Sequence, residues 1–424
     1  MRRHIRVSIP GILLLTLASS AGAQFTQYTL PGGPEERPGD NKAKLERDVE
    51  EARFRLGPLR VAPWFTVQDV AYVRNLFATE GETESDVTAT VGAGLRAYLR
   101  TGSKMTWIAQ ILPEYVWWAD QADRRSLNGR YGLETFGYFN RLTFEAAAGR
   151  DQRQRILTPE VTEPVSSRED SARLLAEARL TGAFSVLAGT SLRKETSLVE
   201  DLDDPRAQSL ALLDREERVS RAGLRWRPRK AWLIGLGAER SDVEFEPGAL
   251  DRSNGGTSPT LEFQVDRRRL FVKADLVARS LEAREGSGFV DYDRVTGNAG
   301  LSFASSPRVD YWIYASRSLT YSLSPAYAYL ESDRTGASLA VELNRRLTAR
   351  VFAETGVNDY TVASPAAPAR NDDVLSYGGT LQFNLPWSTI LRFQALRSEF
   401  DSNLPEGDRA YTTAGITFTV ADRR

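Results

Sequence analysis

KMTWIAQILPEYVWW (Lys104–Trp118) and NGRYGLETFGYF (Asn128–Phe139) decide the fold. In both, apolar and polar residues interleave with a period near two, the pattern of a strand whose two faces meet different surroundings. Thr101-Gly102-Ser103 precedes the first stretch as a tight turn, and the polar link Ala119–Leu127 separates it from the second. A short connection and then a long one therefore bracket a single strand.

Outward from this pair the same unit recurs to the C-terminus. The spacing predicts eighteen strands, over 59–74, 86–100, 104–118, 128–139, 141–150, 168–181, 184–198, 214–227, 231–245, 257–265, 269–283, 291–304, 308–322, 328–344, 347–362, 374–384, 388–400 and 409–421. Short links such as Gly182-Ala183, Pro228-Arg229-Lys230, Ser305-Ser306-Pro307 and Arg345-Arg346 alternate with longer ones rich in Asp, Glu, Gly, Pro and Ser. The alternation reads as an all-β, transmembrane, antiparallel up-and-down barrel, with turns on one side of a bilayer and loops on the other. An even strand number puts both termini on the short-turn side, the periplasm of an outer membrane. A barrel of sixteen strands is the alternative, with the short elements around 128–150 as the place where the count is least fixed. A soluble sandwich of this length would need several domains joined by linkers, and a solenoid would need a fixed repeat period; the sequence has neither.

Alternation also assigns faces. Leu347, Ala349, Val351, Ala353 and Val357 oppose Arg350, Phe352, Glu354 and Asn358. Leu339, Val341 and Leu343 oppose Ser338, Ala340, Glu342 and Asn344, and Leu270, Val272, Ala274, Leu276 and Ala278 oppose Lys273, Asp275 and Arg279. Turning Arg or Lys toward lipid at mid-depth costs ~2–4 kcal/mol, so the charged faces must look inward. The expected pore lining is Glu114, Glu145, Glu177, Arg179, Arg193, Arg221, Arg225, Glu239, Lys273, Asp275, Arg279, Glu342, Arg350, Glu354 and Arg392. These groups read as mutual ion pairs in a hydrated wall, or as a constriction where opposite signs face each other. Their near balance predicts weak ion selectivity. Phe136, Tyr138, Phe271 and Phe352 are the candidates for a lumenal aromatic line, although strand aromatics more often face lipid. Trp64, Trp107, Trp226, Trp232, Trp312 and Trp387 lie close to short turns and are expected to form a periplasmic girdle, with Trp117 and Trp118 at the outer interface.

The N-terminus reads differently. Arg2, Arg3 and Arg6, the apolar run Ile12–Leu17 and the small residues Ala21-Gly22-Ala23 make residues 1–23 a secretory signal peptide. No Cys follows the cleavage site, so the signal is not a lipoprotein one. Residues 24–57 form a periplasmic segment and 58–424 the barrel. Within that segment, 39–54 predicts a short helix, periplasmic or entering the lumen, with Leu45, Val49 and Ala52 on one stripe. The longest loop, 151–167, is a candidate to fold inward as a constriction.

Composition excludes several function classes. No later run of ~18 apolar residues exists, so no helix spans a bilayer and only a barrel remains for a membrane protein. Removing the signal takes three of the 55 basic residues, leaving 52 against 56 acidic ones, a net charge of about −4 with no sign of nucleic-acid binding. There is no Cys, and the single His is His4, inside the signal. The mature chain therefore lacks Ser-His catalysis, Cys nucleophiles and ordinary zinc or haem ligands. No catalytic, cofactor-binding or metal-binding residue is expected, and an outer-membrane lipase or protease is disfavoured. An energy-coupled transporter would need a long plug domain, which the stretch from Gln24 to the first strand is too short to supply.

Gly57-Pro58-Leu59-Arg60-Val61-Ala62-Pro63, then Asn75-Leu76-Phe77, then an acidic loop leading into Ser85-Asp86-Val87-Thr88-Ala89-Thr90-Val91-Gly92-Ala93-Gly94-Leu95, resemble the opening of the β-barrel porin 2 family. Ser316-Arg317-Ser318-Leu319-Thr320-Tyr321-Ser322 is similar to its strand style, and the likeness extends loosely over 57–421. The resemblance implies an outer-membrane barrel. Some relatives accompany exopolysaccharide machinery, so it also implies passage of a polymer, with polysaccharide export components as partners. It offers no catalytic residues. The chain departs from such barrels at its end: Asp422-Arg423-Arg424 follow Phe418, where the barrel-insertion machinery commonly reads a terminal aromatic. The expected function is a channel for passive solute passage or polysaccharide export, set in outer-membrane lipid and without a cofactor. The alternative is a structural or adhesive barrel with a filled lumen.

Overall fold

A computed structural model describes residues 41–74, 85–155, 158–160, 165–198, 211–246, 250–387, 389–404 and 407–421. The expected signal peptide, Asn75-Leu76-Phe77 and Asp422-Arg423-Arg424 lie outside the described residues. A helix, α1 (Asn41–Glu51), and a short strand, β1 (Phe54–Leu56), lead into eighteen long strands. These are β2 (Leu59–Arg74), β3 (Ser85–Thr101), β4 (Met105–Trp118), β5 (Ser126–Tyr138), β6 (Leu142–Arg155), β7 (Val165–Arg179), β8 (Phe184–Ser197), β9 (Arg215–Trp226) and β10 (Trp232–Phe245). They continue as β11 (Asn254–Arg267), β12 (Leu270–Ala283), β13 (Tyr292–Ser306), β14 (Val309–Tyr321), β15 (Tyr327–Asn344), β16 (Leu347–Val362), β17 (Asn371–Leu385), β18 (Thr389–Ser402) and β19 (Arg409–Ala421).

Each of these strands pairs antiparallel with the next, and β19 closes on β2, Ala421 opposite Trp64 and Thr412 opposite Arg74. The cylinder therefore has no free edge, the condition a sheet must meet to cross hydrocarbon. The turn between β5 and β6, closed by Phe139 N–H donating to the Leu142 carbonyl at 2.8 Å, holds these two apart as separate strands, and the ring counts eighteen strands, not sixteen. The largest boundary difference is β6, which runs to Arg155 rather than to 150 and pairs Arg153 with Ser167. Its last residues are polar. Backbone pairing above the bilayer needs no apolar side chains, so the strand outlasts the hydropathy signal that marks it in the sequence.

The outer face is apolar. Val87, Val91, Leu95 and Leu99 on β3, Trp107, Ile111 and Tyr115 on β4, and Phe393 and Ile416 on β18 and β19 are all exposed; Leu236 is 63% exposed and Val351 58%. A soluble surface does not carry a continuous apolar belt of this kind, whereas a barrel wall in lipid requires one. Leu339 and Val341 lie on this face, opposite Tyr311 and Val309, and Leu343 is exposed. Above the belt the outer face becomes charged: Arg150 donates from Nε to Asp170 at 2.6 Å, Lys194 pairs with Glu246 and Arg240 with Asp242. In β2 a register shift between Gln68 and Ala71 resets the phase, so that Ala71 and Val73 remain buried on the inner side against Val116 and Trp118.

The tryptophan expectation needs correcting at three positions. Trp107 and Trp226 are exposed on the outer face, Trp232 packs edge-on against outward Phe263, and Trp387 is exposed in its turn. Trp64 and Trp312 turn inward instead. Strand phase decides this: Trp64 alternates with lumenal Thr66 and Gln68, and Trp312 pairs with Ser338 on the inner face. Each ring occupies the space beside a glycine of the adjacent strand, Trp64 at Gly94 and Trp312 at Gly300, where a Cβ would strike the ring. Trp118, expected at the outer interface, is fully buried on the inner side, while Trp117 faces out. Phe136, Tyr138, Phe271 and Phe352 all lie on the inner face, against the tendency of strand aromatics to face lipid.

Candidate functional site

The lumen is the candidate site. All fifteen predicted positions stand on the inner face, alternating with the exposed apolar residues. The register joins many of them into ion-pair groups. Near the periplasmic end, Arg225 donates to Glu177 at 2.7 Å and to Glu262 at 2.8 Å, while Glu177 also accepts from Arg227 at 2.9 Å and Ser185 at 2.6 Å. Glu145 pairs with Arg173 in the same region. Toward the outer end, Arg193 meets Glu169 at 3.1 Å, and Arg215 bridges Glu195 at 2.8 Å and Glu217 at 2.7 Å. Arg279 reaches Glu239 at 3.3 Å, and Lys273 reaches Asp275 at 2.9 Å. Arg221 lies opposite Glu239 in the ladder. Arg179 and Glu342 are exposed at the periplasmic rim.

On the opposite wall the partners are more often neutral. Glu354 accepts from Tyr314 Oη at 2.6 Å and has Arg334 at 3.8 Å. Arg350 donates to Ser338 at 3.5 Å, Arg392 to Gln382 at 2.6 Å, and Arg96 to Gln110 at 2.7 Å. Glu114 accepts from Gln68 at 2.6 Å. The expected pore lining left out Arg173, Glu195, Arg215, Glu217, Glu262 and Arg334. The signal was present for Glu262, which alternates with Leu261 and Phe263; for Arg215 and Glu217 it was hidden by an outward charged residue, Glu216, between them.

Two elements narrow the lumen. At the periplasmic end α1 packs inside the barrel. Leu45, Val49 and Ala52, its single apolar stripe, bury against Tyr98 and Ile108, with Ala62, Phe136 and Tyr138 beside them. These are inner-face residues of β2 to β5, and Lys42 stands 6.0 Å from the Tyr138 ring centre. At the outer end, residues 158–160 reach across the mouth. Glu160 accepts from Ser322 Oγ at 2.6 Å and from the Leu323 N–H at 2.5 Å, and the Pro159 carbonyl accepts from Arg409 at 2.6 Å. The strands that carry this loop, β6 and β7, are separated from β14 and β15 by β8–β13 on one side, so the contact spans the ring.

The tip Ser322–Ser324 is thereby clamped from both sides. Arg252 donates to the Ser322 carbonyl and, at 2.8 Å, to the Ser324 carbonyl, while Glu160 accepts from the same segment's N–H and hydroxyl. Burial pushes the Glu160 carboxyl above its usual range, partly offset by those two hydrogen bonds. Burial likewise lowers the Arg252 guanidinium, to about 10.

No family model matches the chain, and no curated protein matches it. Among solved structures it is similar to OccK2 (OpdF) of Pseudomonas aeruginosa in complex with glucuronate, at 12% identity and a TM-score of 0.51, over 87% of this chain and 100% of that one. It is also similar to a BenF-like porin from Pseudomonas fluorescens Pf-5, at 10% identity and 0.53, over 86% and 99%. A third is the outer membrane protein OpdK of Pseudomonas aeruginosa, at 9% and 0.50, over 85% and 98%. The barrel implied by the β-barrel porin 2 resemblance is present, while its link to exopolysaccharide draws no support from these neighbours. With its closed wall and its apolar belt, the chain is an outer-membrane β-barrel with the fold of porins.

Proposed function

We propose that the protein is a passive outer-membrane channel for small hydrophilic solutes. The observation that carries this reading is the lumen itself: a charged and polar wall facing inward, narrowed at both ends by short elements of the same chain. Its size is compatible. Eighteen strands spaced ~4.8 Å and tilted ~40° close at a backbone radius of roughly 18 Å, and allowing ~5 Å for inward side chains leaves a lumen of roughly 13 Å radius before the two narrowings. The neighbour OccK2 was solved with glucuronate, a solute of the size such a passage would admit. Outer-membrane lipid and the insertion machinery are the partners this reading requires. It assigns no catalytic role, since the mature sequence carries neither His nor Cys.

Single-channel recording in planar bilayers tests it. Discrete current steps are expected, with a reversal potential near zero in a salt gradient, because the lumenal charges are largely paired. Silence from correctly folded protein would refute the channel and favour the structural or adhesive barrel. A strong preference for one ion sign would refute the charge balance.

A further inference from the structure

We propose that the outer wall of β8–β10 is an interface with a second copy of this chain, packed against it about a two-fold axis along the membrane normal. The proposal concerns the outside of the barrel and holds whether or not the lumen conducts.

The apolar belt is uneven in height. On β3 every outward position from Val87 to Leu99 is Val, Ala or Leu. On β9 the apolar run ends after Trp226, Leu224 and Ala222, and Ser220, Arg218 and Glu216 follow. On β10 it ends at Ala238, and Arg240, Asp242 and Glu244 follow. Leu99 and Trp226 both lie beside short turns, so the lower edges are level. A strand tilted ~40° climbs ~2.5 Å per residue, which makes the belt ~30 Å tall on β3 and ~10 Å on β9, against a usual apolar band of ~25 Å. By the same rise Ser220 stands ~15 Å, and Arg218 and Arg240 ~20 Å, above that lower edge, inside the band.

The register gathers these residues into one patch. Thr190 stands opposite Ser220, Ser220 opposite Arg240, and Arg218 opposite Asp242. The Thr190 and Ser220 hydroxyls bond each other at 3.1 Å on the outer surface. Arg218 meets Glu216 at 3.4 Å and Arg240 meets Asp242 at 3.2 Å, yet their side chains stay 64% and 70% exposed. Charge at similar height elsewhere is held differently: both oxygens of Asp333 accept from Arg317 at 2.6 Å, and Arg397 stands between Tyr377 and Thr412.

The charges select what covers the patch. Hydrocarbon would leave the exposed guanidinium donors unmet. Anionic headgroups would suit Arg218 and Arg240 but would be repelled by Glu216, Asp242 and Glu244. Glu216 and Glu244 also stand directly opposite each other, like charges that a base from outside would relieve. A second copy brings both signs. A two-fold axis along the normal keeps heights and exchanges sides, so β8 of one copy faces β10 of the other. Lys194 lies ten residues beyond Phe184, and Asp242 ten beyond Trp232, so both stand at one height. Each copy's Lys194 then meets Asp242 of the other, with Ser220 on β9 beside the axis.

Cysteine cross-linking in native outer membranes tests the interface, in a full-length chain that has no other Cys. On oxidation, Ser220→Cys should give a covalent band of twice the chain mass, whereas Ala93→Cys, outward at the same height on β3, should stay single. The parent extracted in mild detergent should have the mass of two chains. Arg218→Glu combined with Arg240→Glu should weaken self-association at least about tenfold, because like charges then meet across the axis. The compact band on unheated gels shows whether that variant folds; if it does not, the Ser220→Cys result decides alone. A Ser220→Cys chain that stays single in the membrane would show that lipid bathes the patch and would overturn the proposal. Equal cross-linking at Ser220→Cys and Ala93→Cys, or a parent mass of three chains, would overturn it as well.

Discussion

Unseating α1 should enlarge the channel by a calculable amount. Leu45, Val49 and Ala52 are its contact with the inner wall, and each is more than nine-tenths buried. Burying a Leu or Val side chain is worth about 1.5–3 kcal/mol, so Leu45→Asp with Val49→Asp removes about 3–6 kcal/mol of docking energy, a shift of roughly 10²–10⁴ in the docking equilibrium. Burying the new carboxylates would cost more, so the helix should leave the wall. A helix ~10–12 Å wide in a lumen of roughly 13 Å radius fills roughly a fifth of the section, so conductance should rise by at most roughly a quarter. Planar-bilayer recording measures this directly. Trypsin offers a second reading, since Lys44, Arg47 and Arg53 would become cleavable from the periplasmic side. A folded double variant with unchanged conductance and unchanged tryptic pattern would show that the helix does not restrict the passage.

Three further outcomes are expected. Arg225→Met leaves Glu177 and Glu262 buried without their shared cation, which should destabilise the barrel by about 3–5 kcal/mol, seen as a lower temperature for loss of the compact band on unheated gels. Val351→Arg puts a cation on the lipid face and should cost ~2–4 kcal/mol and impair assembly, whereas a charge at neighbouring inward positions is tolerated; equal tolerance at both would contradict the face assignment. Docking of residues 158–160 should depend on pH through Glu160. Its pKa is raised in the docked state above the ordinary 4.5, so docking is strongest below that value and weakens as pH rises through the raised pKa. Current noise should therefore fall on acidification from neutral pH, and Glu160→Gln should abolish the change; an identical pH profile in that variant would rule out Glu160 as the cause.

Strand number, the face each strand turns to lipid and closure into a barrel were legible in the residues. Alternation is a local property, and a bilayer punishes any wrong choice of face at each position separately, so Leu339, Val351 or Ile416 could be assigned without knowing a neighbour. The stripe Leu45, Val49 and Ala52 was equally legible as a helix face, though what it covers was not. Only the closed tertiary structure decided the rest. Arg225 finds Glu177 and Glu262 because register sets which inward side chains share a row, and a single residue of slip would separate them. Trp64 and Trp312 turn inward because strand phase outweighs the preference of indole for the headgroup level and a glycine on the adjacent strand gives each ring a seat. Glu160 meets Ser322 across the mouth because the ring brings β6 and β14 to opposite sides of one opening, a distance that exists only once β19 has closed on β2.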